Sequence, residues 1–442
     1  MDVFSLTFIF IFLPITLFAY YIAPLKFKSA VLFFASIFFC LTNSVIFTTI
    51  MLINISIDFF ISHRIFFAEN KRQQKLFTLF IAFKNIGTVL YYLFINGFSP
   101  SLSFLGATVY SFTSLGYVLD VYSGEIPVIT RYFDYGVFCC FFGKIRVGPI
   151  VTAQEFFPQL RSKQLSLSNI GEGFTLFAHG LGKKIILADN LSIIIKQISA
   201  LNIDKQSVVH IWLFILCSIL NVYFILSGYS DMARGIGLIF SIKLPENFRY
   251  PLQAYSISDF FAKFNISANH FVRKYVYQAL DAHDNGKIAT SVNIMLISIT
   301  MGLWYGVSIN FLLWGAFLGI FIIIENLYDN NISKYIPLLL RKVLTLLIII
   351  MSFVLFSADT PQKSMYFFKI MIGLSEQIFI NSNAMYMLIS NAALIIMSII
   401  FATDYLAILV KRFELKYIKT GKFISLIVNT LIFILSMVFI IG

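Results

Sequence analysis

The sequence predicts an all-α polytopic membrane protein. Three observations carry this. Hydrophobic residues make up 59% of the chain and charged residues 12%, with a mean hydropathy of +0.86, whereas a soluble domain carries about 25% charged residues. Apolar runs of roughly 20 residues, the length that crosses a bilayer as a helix, recur along the chain. The alternating pattern of a membrane β-barrel is absent, so helices remain the structure that pairs every backbone polar group in lipid. The runs predict about 10–12 transmembrane helices plus short re-entrant or interfacial helices. No long extramembrane stretch or internal repeat divides them, so residues 1–442 read as one membrane-embedded domain.

The net charge of +12 is not a nucleic-acid footprint, because basic residues of membrane proteins collect in cytoplasmic loops. The partner it implies is the lipid bilayer, and no nucleic acid is expected. Cys40, Cys139, Cys140 and Cys217 all sit in apolar runs, without zinc or disulfide spacing, and no metal site is expected. High Phe, Ile, Lys and Asn usage points to an AT-rich bacterial genome, hence to a bacterial cytoplasmic (inner) membrane.

The first run, about Leu6–Ala23, lacks a basic leader and a small-residue cleavage site, so it reads as a retained helix. Residues 30–62 are too long for one helix, and Asn43-Ser44 is the expected break. Arg64, Lys71, Arg72 and Lys75 mark a cytoplasmic loop, with His63 as an ordinary loop residue. Residues 76–97 form another span with Lys84 and Asn85 inside it, and Asp120 reads as a capped, solvated residue near a helix end. Gly148-Pro149 breaks the chain into a bend or re-entrant element. Lys144 and Arg146 before that bend are expected to snorkel to the interface, with contact to an anionic donor group as the alternative. A short helix pair follows around Gly171–Asn190, with His179 structural and Lys183-Lys184 an interfacial anchor.

Residues 206–226 form a clear span leading into Ser227-Gly228-Tyr229-Ser230-Asp231-Met232-Ala233. Asp231 with Tyr229 and Ser230 places an acid and two hydroxyls at the foot of an apolar helix, read either as a cap with a packing face or as tunnel lining. Further spans are expected at about 336–356, 384–410 and 422–441, with a basic cytoplasmic cluster of Lys411, Arg412, Lys416, Lys419 and Lys422. Both termini are then predicted outside.

Two blocks between residues 251 and 320 dominate. Pro251–Tyr277 gathers Asp259, Lys263, Asn265, Asn269, His270, Arg273 and Lys274 inside an apolar protein, and intramembrane polar clusters are functional hypotheses by default. An interfacial helix with a solvated basic face is the bland alternative. Met301–Gly319 holds Trp304 and Trp314 with Gly302, Gly306, Gly315 and Gly319.

These blocks resemble the core signature of the membrane-bound O-acyltransferases, in particular the bacterial branch that acylates alginate and teichoic acids. Ser256-Ile257-Ser258-Asp259-Phe260-Phe261, then Phe264-Asn265 and Arg273-Lys274-Tyr275, align with the first signature, and Gly302-Leu303-Trp304-Tyr305-Gly306 with Trp314-Gly315 and Leu318-Gly319 align with the second. Upstream, Tyr117–Tyr122, Gly148-Pro149-Ile150, Phe157–Leu160, Gly180–Lys184, Leu187–Asn190, Ser227–Ala233 and Leu244-Pro245-Glu246-Asn247-Phe248 are similar in the same order. The resemblance covers roughly residues 100–360. Asn265, Tyr305 and Leu318 stand where the alginate-type pattern has histidine, and position 305 is where the superfamily places its presumed general base.

The resemblance implies an MBOAT-like fold and an acyl transfer from a cytoplasmic thioester, acyl-coenzyme A or an acyl-carrier protein, to a hydroxyl of a cell-surface polysaccharide or glycolipid. The acyl group would be acetyl or similarly small, and no bound cofactor is expected. A periplasmic acyltransferase partner is a further implication. Asn265 fits a substrate-orienting or oxyanion-stabilising donor. Tyrosine, with an ordinary pKa of about 10, is a poor base at neutral pH. Candidate catalytic residues are therefore Asn265, Tyr305 and His270; candidate tunnel-lining or substrate residues are Asp231, Tyr229, Arg273, Trp304 and Trp314. On one helix His270 would lie about 500° around from Asn265 and so off its face. His210 and His283 read as solvated. Beside the O-acyltransferase reading stand an inactive homologue that binds acyl chain or polysaccharide or scaffolds a partner, and a polysaccharide flippase.

Overall fold

The computed structural model describes residues 1–95, 102–161, 166–202, 205–277, 286–328 and 336–441. His283 lies outside them. The described residues are helical, with one isolated bridge between Phe248 and Phe264 and no strand. In chain order the helices are α1 Phe8–Ile22, α2 Lys28–Leu41, α3 Val45–Phe67, α4 Lys71–Ile95, α5 Leu102–Tyr122, α6 Tyr132–Cys140, α7 Ala153–Arg161, α8 Leu167–Gly182, α9 Asp189–Ser199 and α10 Val208–Ile239. They continue with α11 Ile257–Lys263, α12 Ile266–Val272, α13 Gly286–Leu303, α14 Ile309–Tyr328, α15 Leu338–Ser357, α16 Pro361–Met371, α17 Ser382–Ser390, α18 Ala392–Phe401, α19 Tyr405–Lys416 and α20 Ile418–Ile441.

Among the described residues seven helices are long and apolar enough to cross a membrane: α3, α4, α10, α13, α14, α15 and α20. An eighth span results if α17 and α18, bent by 54° at Asn391, count as one. The expected ten to twelve crossings stand against these seven or eight. The difference falls on short elements such as α1 and α2, and on residues 384–410, which divide into α17, α18 and the start of α19 instead of one span.

The chain groups into two compact units. The first comprises Met1–Leu181, Tyr229–Glu246 and Ile440–Gly442. The break expected at Asn43-Ser44 is there: Asn43 Nδ2 donates to the Phe39 carbonyl at the end of α2, and Ser44 Oγ accepts from Phe47 N at the start of α3. Inside this unit α3, α4, α5 and α6 share a buried polar network. Lys84 Nζ lies 2.9 Å from Asp58 Oδ1 and also donates to the Asn54 carbonyl and Oδ1. Asp58 Oδ2 accepts from Asn85 Nδ2 at 3.1 Å and from Ser114 Oγ at 2.6 Å, and Ser114 meets Tyr135 OH at 2.7 Å. The polar residues of the 76–97 span are thus the lock between helices. Gly235 explains part of the Ser227–Phe240 motif: a Cβ there would stand 2.5 Å from the Gly173 carbonyl, so α8 and α10 touch backbone to backbone.

Three expectations for this unit are corrected. Lys144 does not snorkel; it is wholly buried in the turn after α6, with Thr113 Oγ1 at 3.3 Å and its ammonium over the rings of Phe138 and Phe156. Asp120 is buried, not solvated. His63 is no loop residue but sits inside α3, near its end, its Nδ1 donating to the Phe59 carbonyl at 2.8 Å.

The second unit comprises Gly182–Gly228 and Asn247–Phe439. Its centre is the α13–α14 hairpin. A Cβ at Gly302 would stand 2.3 Å from the Phe311 carbonyl, and one at Gly315 would stand 2.4 Å from the Ser298 carbonyl. Small residues are therefore obligatory where the two helices meet, as in other intramembrane pairs. His210, expected to be solvated, is buried at the start of α10. Ser207 N and Oγ both donate to its Nδ1, while its Nε2 meets Asn383 Oδ1 at 3.0 Å.

Candidate active site

The polar block splits where its sequence splits. Ser256 Oγ accepts from Asp259 N at 3.0 Å, and Asp259 Oδ2 accepts from Tyr255 N at 3.2 Å, a reciprocal cap that starts α11. Lys263 closes on the same carboxylate at 2.7 Å. Asp259 and Lys263 are thus consumed locally. A second acid reinforces the start of α11: Glu325, from α14, accepts from Ile257 N at 2.5 Å, Ser258 N at 2.9 Å and Ser258 Oγ at 2.8 Å. A carboxylate at a helix N-terminus satisfies free N–H groups and meets the positive end of the helix dipole.

The end of α11 is pinned by the Leu244–Phe248 motif. Arg249 N donates to the Lys263 carbonyl, Ile266 N to the Asn247 carbonyl, and Ser267 N to Asn247 Oδ1 at 2.8 Å. Asn269 Nδ2 closes the Phe261 carbonyl at 2.9 Å. Held on both sides, Asn265 takes the left-handed conformation (φ 54°, ψ 55°), one that asparagine tolerates better than most residues. This kink turns its amide inward.

There the amide meets Tyr305. Asn265 Nδ2 lies 3.3 Å from the Tyr305 hydroxyl, and both residues are buried, 9% and 7% exposed. Tyr305 comes from the turn between α13 and α14, outside the spans. Its ring is walled by Phe264, Trp314 and Phe356, with centroids 6.2, 5.7 and 5.5 Å away. Trp314 is fully buried and donates from Nε1 to Ser352 Oγ at 3.2 Å. Burial raises the Tyr305 phenol well above its ordinary pKa, against a smaller lowering by Asn265, so the phenol keeps its proton. It is a hydrogen-bond donor here, not a base.

Of the sequence candidates, the structure brings together Asn265, Tyr305 and Trp314. Trp304 is half-buried one residue before Tyr305. His270 and Arg273 are exposed on or just after α12 and do not share the buried surroundings of the pair. Tyr229 and Asp231 belong to the first unit, where Asp231 pairs with Arg234 at 3.2 Å and Tyr229 is buried. Glu325, Asn247 and Phe356 were not candidates. A lone acid in the apolar run of α14 was the readable signal for Glu325.

The model of the membrane-bound O-acyltransferase family matches residues 39–368, three quarters of the chain. This chain belongs to the membrane-bound O-acyltransferase family. Among its curated relatives, a probable alginate O-acetylase AlgI of Pseudomonas syringae pv. tomato is 32% identical over 58% of this chain and 49% of the relative. That of Pseudomonas fluorescens is 29% identical over 80% and 72%, and a peptidoglycan O-acetyltransferase of Helicobacter pylori is 26% identical over 83% and 79%. The match thus spans about half the length of the first relative.

Proposed function

We propose that this chain is a membrane O-acyltransferase of the bacterial cytoplasmic membrane, moving a small acyl group from a cytoplasmic thioester to a hydroxyl of a cell-surface polysaccharide or glycolipid. The observation that carries this reading is the buried Asn265–Tyr305 hydrogen bond at the heart of the family signature. Asn265 Nδ2–H donates to the phenol oxygen, which leaves the phenol hydrogen free to donate in turn. A neutral donor backed by a second donor suits the oxyanion that forms when a hydroxyl attacks a thioester carbonyl. The hydroxyl then attacks, the C–S bond breaks, and the thiol leaves with the acceptor's proton. Aligned binding of the two substrates is worth about 7–11 kcal/mol, which lowers the demand on a base.

The test is the acyl-ester content of the host's surface polysaccharides, by NMR. Strains compared are wild type, a deletion, Asn265→Ala and Tyr305→Phe at matched protein levels. Loss of esters in the deletion and in both point variants supports transfer at this site. Esters lost in the deletion but kept in both variants would make the chain a binding or scaffolding homologue. Unchanged esters in the deletion refute the proposal.

A further inference from the structure

A cavity of about 600 Å³ opens at the last turns of α3, in the first unit, lined by Phe59, Phe60, Ile61, His63, Arg64 and Thr130. α3 is a candidate span ending at Phe67 and Thr130 stands in the segment before α6, so the cavity lies toward one end of that span. Its wall is divided by chemistry. Phe59, Phe60 and Ile61 offer an apolar side; His63, Arg64 and Thr130 offer a polar one. Arg64 is exposed, and among the described residues its guanidinium has no ion-pair partner. The His63 ring lies tilted against that of Phe59, with centroids 4.6 Å apart, and donates from Nδ1 to the Phe59 carbonyl. A carbonyl only accepts, so neutral His63 keeps its proton on Nδ1 and leaves Nε2 as an acceptor.

We propose that this cavity binds the headgroup of an anionic phospholipid that carries a free hydroxyl. The phosphate is held by Arg64 and Thr130, the headgroup hydroxyl donates to His63 Nε2, and the acyl chains run along Phe59, Phe60 and Ile61. Guanidinium matches phosphate in geometry and charge. The basic run Lys71, Arg72 and Lys75 at the start of α4 attracts the same lipids. A zwitterionic headgroup shares the phosphate but brings a second cation toward Arg64, which disfavours it.

The experiment uses the full chain in detergent, with native mass spectrometry after adding phosphatidylglycerol or acyl-matched phosphatidylcholine. Phosphatidylglycerol should bind on the order of tenfold more tightly, through its hydroxyl contact to His63 and the absence of a second cation beside Arg64. Arg64→Gln should erase the preference, His63→Gln should reduce it, and Arg412→Gln, an exposed cation on α19, should leave it intact. Where Arg64→Gln does not elute as a monodisperse species, Arg64→Lys replaces it and should lose part of the preference. Equal binding of the two lipids, or an equal loss in Arg412→Gln, overturns the site. Full displacement of the lipid by millimolar inorganic phosphate makes free phosphate the ligand and overturns the lipid assignment.

Discussion

The side-chain amide of Asn265 reaches the Tyr305 hydroxyl at 3.3 Å from a backbone held in the left-handed region, φ 54°. Geometry and chemistry at this position are therefore separable by mutation.

Asn265→Gly keeps the kink and removes the amide, whereas Asn265→Ala removes both. A left-handed alanine costs about 1–2 kcal/mol. Thermal unfolding of the purified protein should rank wild type and Asn265→Gly close together, with Asn265→Ala clearly below. Ester transfer should fall in both. Equal stability of the two variants would remove the strain from the account.

Tyr305→His places a titratable base in the walled turn. Acyl transfer measured in membranes between pH 5 and 8 should then rise with pH around the ordinary imidazole value of about 6.5, because only neutral imidazole accepts a proton. Wild type keeps a protonated phenol over this range and should show no such step. Tyr305→Phe should lower transfer by about 10²-fold if the phenol serves as an oxyanion donor.

The Asp58–Lys84 pair is enclosed by Asn54, Asn85 and Ser114. Asp58→Asn or Lys84→Met alone leaves one buried charge unpaired, a loss of about 3–5 kcal/mol. The double variant should recover a large part of that loss. Urea or thermal midpoints of the four proteins form the cycle that measures the coupling.

Lys144 lies outside the candidate spans, and burial lowers its pKa to about 8 from 10.5. Below about pH 8 the ammonium is charged in both folded and unfolded chains, and the fold carries the full cost of burying it. Between about 8 and 10.5 the unfolded chain holds a proton that the folded chain does not, so stability rises with pH. Lys144→Met should raise stability at pH 7 and abolish that rise. A rise unchanged in the variant assigns it to other groups.

The membrane class, the break at Asn43-Ser44 and the two blocks around Asn265 and Tyr305 were all legible in the sequence, because apolar length, turn chemistry and motif order are local signals. The fates of single polar residues were not. Lys144, Asp120 and His210 look solvated one by one, yet all three are buried; Lys144 meets Thr113 on α5 and His210 meets Asn383 on α17, pairings that a local reading of the sequence does not connect. Asp259 drew notice as a polar group at depth and turned out to be the partner of a helix cap. Glu325 escaped notice, since its partners are the N–H groups of another helix and backbone donors leave no mark in a sequence.

That carboxylate also sets a depth. Glu325 lies two residues before the end of the α14 span at Leu327, so the start of α11 that it grips sits near one face of the bilayer. Asn265, just past the other end of α11, meets Tyr305, which precedes the start of the same α14 span at Ile309. The two contacts thus tie the short α11 to opposite ends of α14, so loosening the Glu325 grip at one end would be felt at the Asn265–Tyr305 pair at the other.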